Sequence, residues 1–260
     1  MKCLTRHEKP LEEAGAWTHV FATNGSSQKI AELGVHTAQI CAEAQILFDS
    51  SEHSKAWKRG ILKIIKDTIA IDILYRDWIE KYSMSENWRY QTVYLSPNEA
   101  LPADGMVQVH HDFYTAHIWN SCRSKRAHLH EVSLHCLSLL GCDPETTDLS
   151  SKLKSLDLAE SLLTRSKSII DDMVSGICAT VPFMLGDIDM VGELALERKS
   201  MPLAGYMLLW PLHVARASTN EGSEKEAWIK SSFESIDSKV GIRFGRLMAE
   251  KNKKEPWNLS

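Results

Sequence analysis

The sequence predicts an all-α protein, a single irregular multi-helix domain with proline-kinked apolar helices. Three observations carry that expectation. Apolar residues recur every three or four positions in each long segment, which is the period of a helix face. No long segment alternates apolar and polar residues as a half-buried strand would. Prolines interrupt two of the most apolar runs, "ICATVPFMLGD" and "YMLLWPLHVA", where a helix is bent rather than replaced.

The elements follow in chain order. Residues 1–25 are expected to be loosely ordered, and "MKCLTRHEKPLEEAG" lacks the apolar core of a secretory signal. Residues 27–49 place Ile30, Leu33, Ala38, Cys41, Ala44 and Leu47 on one helical stripe. Residues 54–82 do the same with Trp57, Ile61, Ile64, Ile65, Ile69, Leu74, Trp78 and Ile79. Residues 83–108 hold two prolines and a glycine in "SPNEALPADG" and read as a long internal loop. The short "YQTVYL" inside it has strand character, with no partner evident in the sequence.

Helical character returns over 110–141, a turn follows in "GCDPETTDLSS", and 153–181 form another amphipathic segment. The residue before a proline is pushed off the α region, so Val181 and Pro182 are expected to end that helix. Gly186 then supplies a left-handed turn, and Phe183–Leu185 plug the core. Pro211 is expected to kink its own helix, in which Met201, Met207 and Trp210 read as core. Two such kinks imply a shaped interior. Ser223, with Glu226 three residues on, forms a capping box that opens a helix running to about Lys251. Residues 252–260 are polar and expected to fray.

Composition narrows the function classes. The 260 residues are 43% apolar and 25% charged, the balance of a globular chain with a sizeable core. The net charge of −4 gives no global positive field for nucleic acid. Six cysteines, Cys3, Cys41, Cys122, Cys136, Cys142 and Cys178, contain no CxxC pair or common zinc spacing, so they read as reduced thiols of an intracellular protein. No apolar run approaches the roughly 18 residues of a membrane span. GxSxG, GxGxxG and phosphate-loop motifs are absent.

Two clusters are candidates for chemistry. Trp119, Arg123, Arg126 and His130 lie at helical steps of four, three and four, so they share a face that could take a phosphate or carboxylate. The plainer alternative pairs these arginines with acids at the core edge, their stems packed beside Trp119. His110, His111, His117, His128 and His130 are dense but lack metal-ligand spacing, and read as surface or core-edge histidines. Asp171 and Asp172 are the second cluster, since a helical acid pair can hold magnesium that carries a diphosphate. In helical class I terpene cyclases one metal motif has an acid or amide, a serine four residues on and a glutamate eight residues on. Asp171 and Ser175 fit the first two places, and Ala179 occupies the third. The aspartate-rich companion motif is absent.

Several stretches together resemble a family. "ICATVPFMLGD", then "GYMLLWPLHVA", then "AWIKSSFESIDSKVGIRFGRLMAE" look like the C-terminal portion of fungal transcription factors of the zinc binuclear cluster type. "DFYTAHIWNSCRSKRAHLHE", with Trp119, Asn120, Arg123 and Arg126, and "DWIEKYSMSENWRY", with Trp78 and Trp88, extend the resemblance over roughly residues 70–250. It implies an all-helical regulatory domain, a nuclear location and a protein partner, either an intact factor or a second copy. In that family DNA is read by a separate module in which six cysteines hold two zinc ions. Here Cys3 is the only early cysteine and the basic linker is missing, so no direct sequence-specific DNA binding is expected. A link to a secondary-metabolite gene cluster also follows from the resemblance.

The alternative is an enzyme of secondary metabolism on the same helical scaffold. It would be a cyclase acting on an isoprenoid or polyketide chain, with Asp171, Asp172, Arg123 and Arg126 near the polar end of an apolar pocket. Magnesium is implied only under that alternative; otherwise no cofactor or metal is expected, though a small apolar ligand is compatible with either reading.

Overall fold

The computed structural model describes residues 25–51, 54–96, 101–141, 149–195 and 202–250, with the backbone alone for 149–158. The expectations about the two ends, and about Cys3, Cys142 and Met201, lie outside them.

Seven helices and one small hairpin make up the described residues: α1 Gly25–Phe48, α2 Lys55–Ser83, β1 Gln91–Tyr94, β2 Met106–Val109, α3 Phe113–Gly141, α4 Leu149–Met184, α5 Pro202–Ala217, α6 Glu224–Val240 and α7 Phe244–Glu250. The all-α class is what the periodicity predicts. The chain is expected to be one domain; its Cα packing divides into two compact units, each built from discontinuous segments. The first comprises residues up to Tyr75 together with Lys125–Asp172, and the second Arg76–Ser124 together with Met173 onward. Helices α2, α3 and α4 therefore contribute residues to both.

In the first unit, α1 buries Ile30, Leu33, Ala38, Cys41 and Ala44, which is the stripe its spacing predicts except for a half-buried Leu47. Ser54 caps α2, its hydroxyl accepting the Trp57 N–H at 3.2 Å. Trp57 Nε1 donates to the Leu47 carbonyl at 2.9 Å, and the Thr37 and Tyr75 hydroxyls meet at 2.9 Å. The buried face of α2 differs from the predicted stripe. Ile61, Ile64 and Ile65 are buried, but Leu74 is 38% exposed and the face continues through Thr68, Asp72 and Tyr75. Step counting picks every apolar residue near the seam, whereas the helix can turn only one of Asp72 and Leu74 inward.

The second unit corrects three expectations. "QTVY" does have a partner: β1 pairs antiparallel with β2, Gln91 opposite Val109 and Tyr94 opposite Met106, both strands from the segment read as loop. "MVQV" is too short for its alternation to register, and β2 is selected by burial of Val107 and Val109.

Pro182 does not end α4, which continues to Met184. A proline removes only its own N–H from the ladder, and the Leu185 N–H still reaches the Val181 carbonyl at 2.9 Å. Burial of Val181, Phe183, Met184 and Leu185 holds the last turn in place. The stop comes at Gly186, with φ of 74°. The Asp187 N–H bonds the Pro182 carbonyl at 2.9 Å and the Gly186 N–H bonds that of Phe183 at 3.1 Å, a Schellman closure. Helix α5 spans Pro202–Ala217 with Pro211 inside it.

The helix opened by Ser223 stops at Val240, well before Lys251. Its cap is as predicted, the Ser223 hydroxyl accepting the Glu226 N–H at 3.2 Å. Gly241, at φ of 76°, closes it with its N–H on the Asp237 carbonyl, and α7 begins three residues later. The Asp187 carboxylate takes Lys239 Nζ at 3.1 Å.

Candidate functional site

Two buried polar clusters stand out, one in each unit. In the first, Asp72 is 1% exposed and is met by two guanidinium groups and an imidazole. Its Oδ1 takes Arg126 Nε at 2.6 Å and lies 3.1 Å from His130 Nε2, and its Oδ2 takes Arg165 at 3.1 Å. His130 Nδ1 lies 3.1 Å from the Ser166 hydroxyl. Burial alone would raise the Asp72 pKa; the hydrogen bonds and charges of His130 and Arg126 outweigh it and hold the carboxyl well below the usual range. Ser166, His130 and Asp72 are 3%, 4% and 1% exposed, so the relay presents no hydroxyl to an incoming substrate. It ties α2, α3 and α4 together within the first unit.

The second cluster has the opposite charge balance. Arg123 is 3% exposed and pairs with no carboxylate among the described residues. Its Nη1 donates to the Gly176 carbonyl at 2.9 Å and to Asn120 Oδ1 at 3.3 Å, and its Nη2 donates to Gln108 Oε1 at 2.6 Å. The Tyr90 and Trp119 rings face the guanidinium carbon at 5.2 and 5.4 Å. Burial pulls the Arg123 pKa below the usual guanidinium range, and the Tyr90 hydroxyl opposes that pull. Helix α4 comes this close because residue 176 is glycine: a Cβ there would lie 2.7 Å from Arg123 Nε.

His110 sits in the same unit, directly after β2, and is 2% exposed. Neither ring nitrogen has a hydrogen-bond partner among the described residues. Burial, then the nearby Arg123 charge, lowers its pKa well below the ordinary value, so the ring is neutral. Its neighbours are the Tyr90 ring at 5.1 Å and the Phe183 ring at 6.1 Å. Leaving such a group unbonded costs about 1–3 kcal/mol for each polar atom. An uncompensated guanidinium and an unbonded imidazole therefore make this unit hold two unfavourable groups close to one set of rings.

Asn120 joins α3 to α4 here. Its Nδ2 donates to Thr180 Oγ1 at 2.7 Å, the Thr180 hydroxyl lies 3.0 Å from Asn120 Oδ1, and Met184 Sδ is 3.5 Å from Nδ2.

The residues singled out in the sequence fall into place as follows. Arg126 and His130 join Asp72 in the first unit, while Arg123 and Trp119 belong to the second, so the basic face serves two different clusters. Arg126 follows the plainer alternative of pairing with an acid; Arg123 does not. Among the histidines, His110, His128 and His130 are buried, His111 is exposed and His117 is half-buried. Asp171 and Asp172 are both exposed on α4, and the Ser175 hydroxyl accepts Lys225 Nζ at 3.1 Å. Among the described residues no three His, Cys, Asp or Glu side chains are placed to hold a metal ion. Cys41, Cys122, Cys136 and Cys178 are buried and form no disulfide there; burial pushes the Cys41, Cys136 and Cys178 thiols up to about 12. No described helix is long and apolar enough to cross a membrane.

Asp72, Gln108, Gly176 and Thr180 were not among the sequence candidates. Asp72 carried a signal, an acid in register with Ile61, Ile65, Thr68 and Tyr75 at steps of three and four. Thr180 also carried one, as the polar residue inside "ICATV".

Comparison with protein-family models, curated proteins and solved structures finds no match for this chain.

Proposed function

We propose that this chain is a transcription-factor-like regulatory domain that works in the nucleus through a protein partner and does not itself read DNA. One observation supports the reading above the others. Two of the stretches that carry the family resemblance, the one with Trp119, Asn120 and Arg123 and the one from Ile177 to Asp187, are bonded to each other through Asn120–Thr180, and Arg123 reaches the Gly176 carbonyl just before the second. The residues that make the chain look like a regulator are thus those that build the second unit's interior.

The absence of DNA readout has a physical basis. Specific readout needs side chains free to reach base edges and phosphates. Arg123 and Arg126 are 3% and 8% exposed and already bonded within the protein. The net charge of −4 adds an unfavourable long-range term. Control of a secondary-metabolite gene cluster is the setting that the resemblance favours.

The test is a tethering experiment in a fungal host. Fused to a heterologous DNA-reading module, the chain is expected to change reporter transcription several-fold relative to the module alone. An Asn120→Leu fusion, expressed to the same level, is expected to lose that change. A reporter indifferent to the wild-type fusion would overturn the reading.

A further inference from the structure

We propose that the outer face of α2 is a docking surface for an acidic amphipathic helix of a partner protein. The inference rests on the regulatory reading for its purpose, since it gives the partner of such a domain a chemistry. The surface itself stands on α2 alone.

Helix α2 carries a stripe at helix-seam spacing on each of two sides. The buried one runs through Trp57, Ile61, Ile64, Thr68, Asp72 and Tyr75. The other is Lys55, Arg59, Leu62, Lys66, Ile69 and Ile73, at steps of four, three, four, three and four, and it turns to the opposite side. It lies wholly within the first unit. Lys55, Arg59 and Lys66 are exposed, Leu62 and Ile73 are 48% and 39% exposed, and Ile69 is half-buried. Aliphatic residues that recur at these steps on an outer face are what one helix presents to another, whereas a face that meets only water is polar throughout.

Charge selects the partner. Residues 55–66, the start of α2, hold five cations and no acid, in a chain whose net charge is −4. Lys63 is answered from within the protein, by Glu43 at 2.8 Å and Asp67 at 2.7 Å. Lys55, Arg59 and Lys66 have no acidic partner among the described residues. Lys55 also stands in the first turn of α2, where the helix dipole favours an anion rather than a cation. This surplus charge does not stabilise α2, and it is complementary to carboxylates brought from outside. A helix with Asp or Glu beside aliphatic residues at the same steps would meet Arg59 and Lys66 with acids and Leu62, Ile69 and Ile73 with apolar side chains.

The experiment is fluorescence anisotropy of a labelled helical peptide of about 20 residues, titrated with the purified full chain. The peptide has leucine at alternating steps of three and four and glutamate at the flanking positions. The same peptide with lysine in place of glutamate, and polyglutamate, are the comparison probes. Saturable binding of the acidic helix is expected, about tenfold or more tighter than either comparison, and weakened by added salt. Arg59→Glu with Lys66→Glu, and separately Leu62→Gln with Ile73→Gln, are each expected to weaken it by about tenfold or more. All four positions are exposed, and circular dichroism checks that both variants fold; if one does not, the other decides. The proposal is overturned by no saturable binding of the acidic helix, by equal binding of polyglutamate, or by binding that survives both variants. Sedimentation velocity and vesicles of phosphatidylcholine with phosphatidylserine test the other occupants. A dimer, or vesicle binding without peptide binding, that Arg59→Glu with Lys66→Glu abolishes would assign the face to a second copy or an anionic membrane and overturn the proposal. The tethered reporter separates the two claims: a responsive reporter with no acidic-helix binding sinks the docking surface alone, and binding with an inert reporter sinks the regulatory role alone.

Discussion

Asp72→Asn is expected to destabilise the protein by about 3–5 kcal/mol, because it keeps the shape of the side chain and removes the negative charge that balances the buried Arg126. Arg126, 10% exposed at its side chain, would be left without its counter-charge, and His130, at 5%, without its carboxylate neighbour. Arg165 is 49% exposed and adds little, since water already screens it. The same carboxyl sets an acid limb of stability. Its pKa in the folded protein is depressed, so the unfolded chain takes up the proton first as pH falls. The stabilisation is complete above the ordinary aspartate value of about 4 and is lost as pH falls from there through the folded value. Urea unfolding at neutral pH and at a series of acidic pH values measures both effects. The Asp72→Asn variant should give a lower midpoint at neutral pH and a flatter acid limb, and an unchanged midpoint would show that the cluster is not the brace described above.

Phe183→Ala is expected to cost about 3–5 kcal/mol by loss of buried surface and opening of a cavity. The side chain is 2% exposed and stacks with Phe113 at 5.3 Å. It also sits one residue past Pro182, so its packing is part of what carries α4 through the proline. The variant should show a lower urea midpoint together with faster hydrogen exchange at Leu185 and Gly186, the amides of the closing turn. A shift smaller than about 1 kcal/mol would mean that the site collapses onto the lost ring, contrary to a close-packed interior.

Helix positions and the all-α class were legible because burial on a helix repeats at three and four residues, and α1 and α2 obey that period over 24 and 29 residues, whereas α3 is buried on most sides. Helix ends were less legible. A proline looks like a stop in sequence, yet at Pro182 it cost one ladder bond in a turn whose other side chains are buried, and the real stop was the left-handed glycine four residues later. The hairpin escaped because its pairing depends on two four-residue segments separated by a long connection, which no local pattern encodes. In the candidate site, Arg123 and Arg126 were visible as charges on one face. What the sequence could not provide was their partners: Asp72 lies 54 residues before Arg126, and Gly176 lies 53 after Arg123. The unbonded nitrogens of His110 are likewise a property of the packed state.

The two arginines, three residues apart, sit in different surroundings: Arg126 is balanced by an acid and braces the first unit, and Arg123 is a buried charge held by neutral oxygens. Equilibrium urea unfolding of Arg123→Met beside Asp72→Asn tests this difference most directly. Removing an unpaired buried charge relieves its desolvation, which offsets the lost bonds to Gln108, Asn120 and Gly176. The account predicts that Arg123→Met lies within about 1 kcal/mol of wild type, while Asp72→Asn loses about 3 kcal/mol or more. A loss for Arg123→Met as large as that for Asp72→Asn would contradict it, and would make Arg123 part of the architecture.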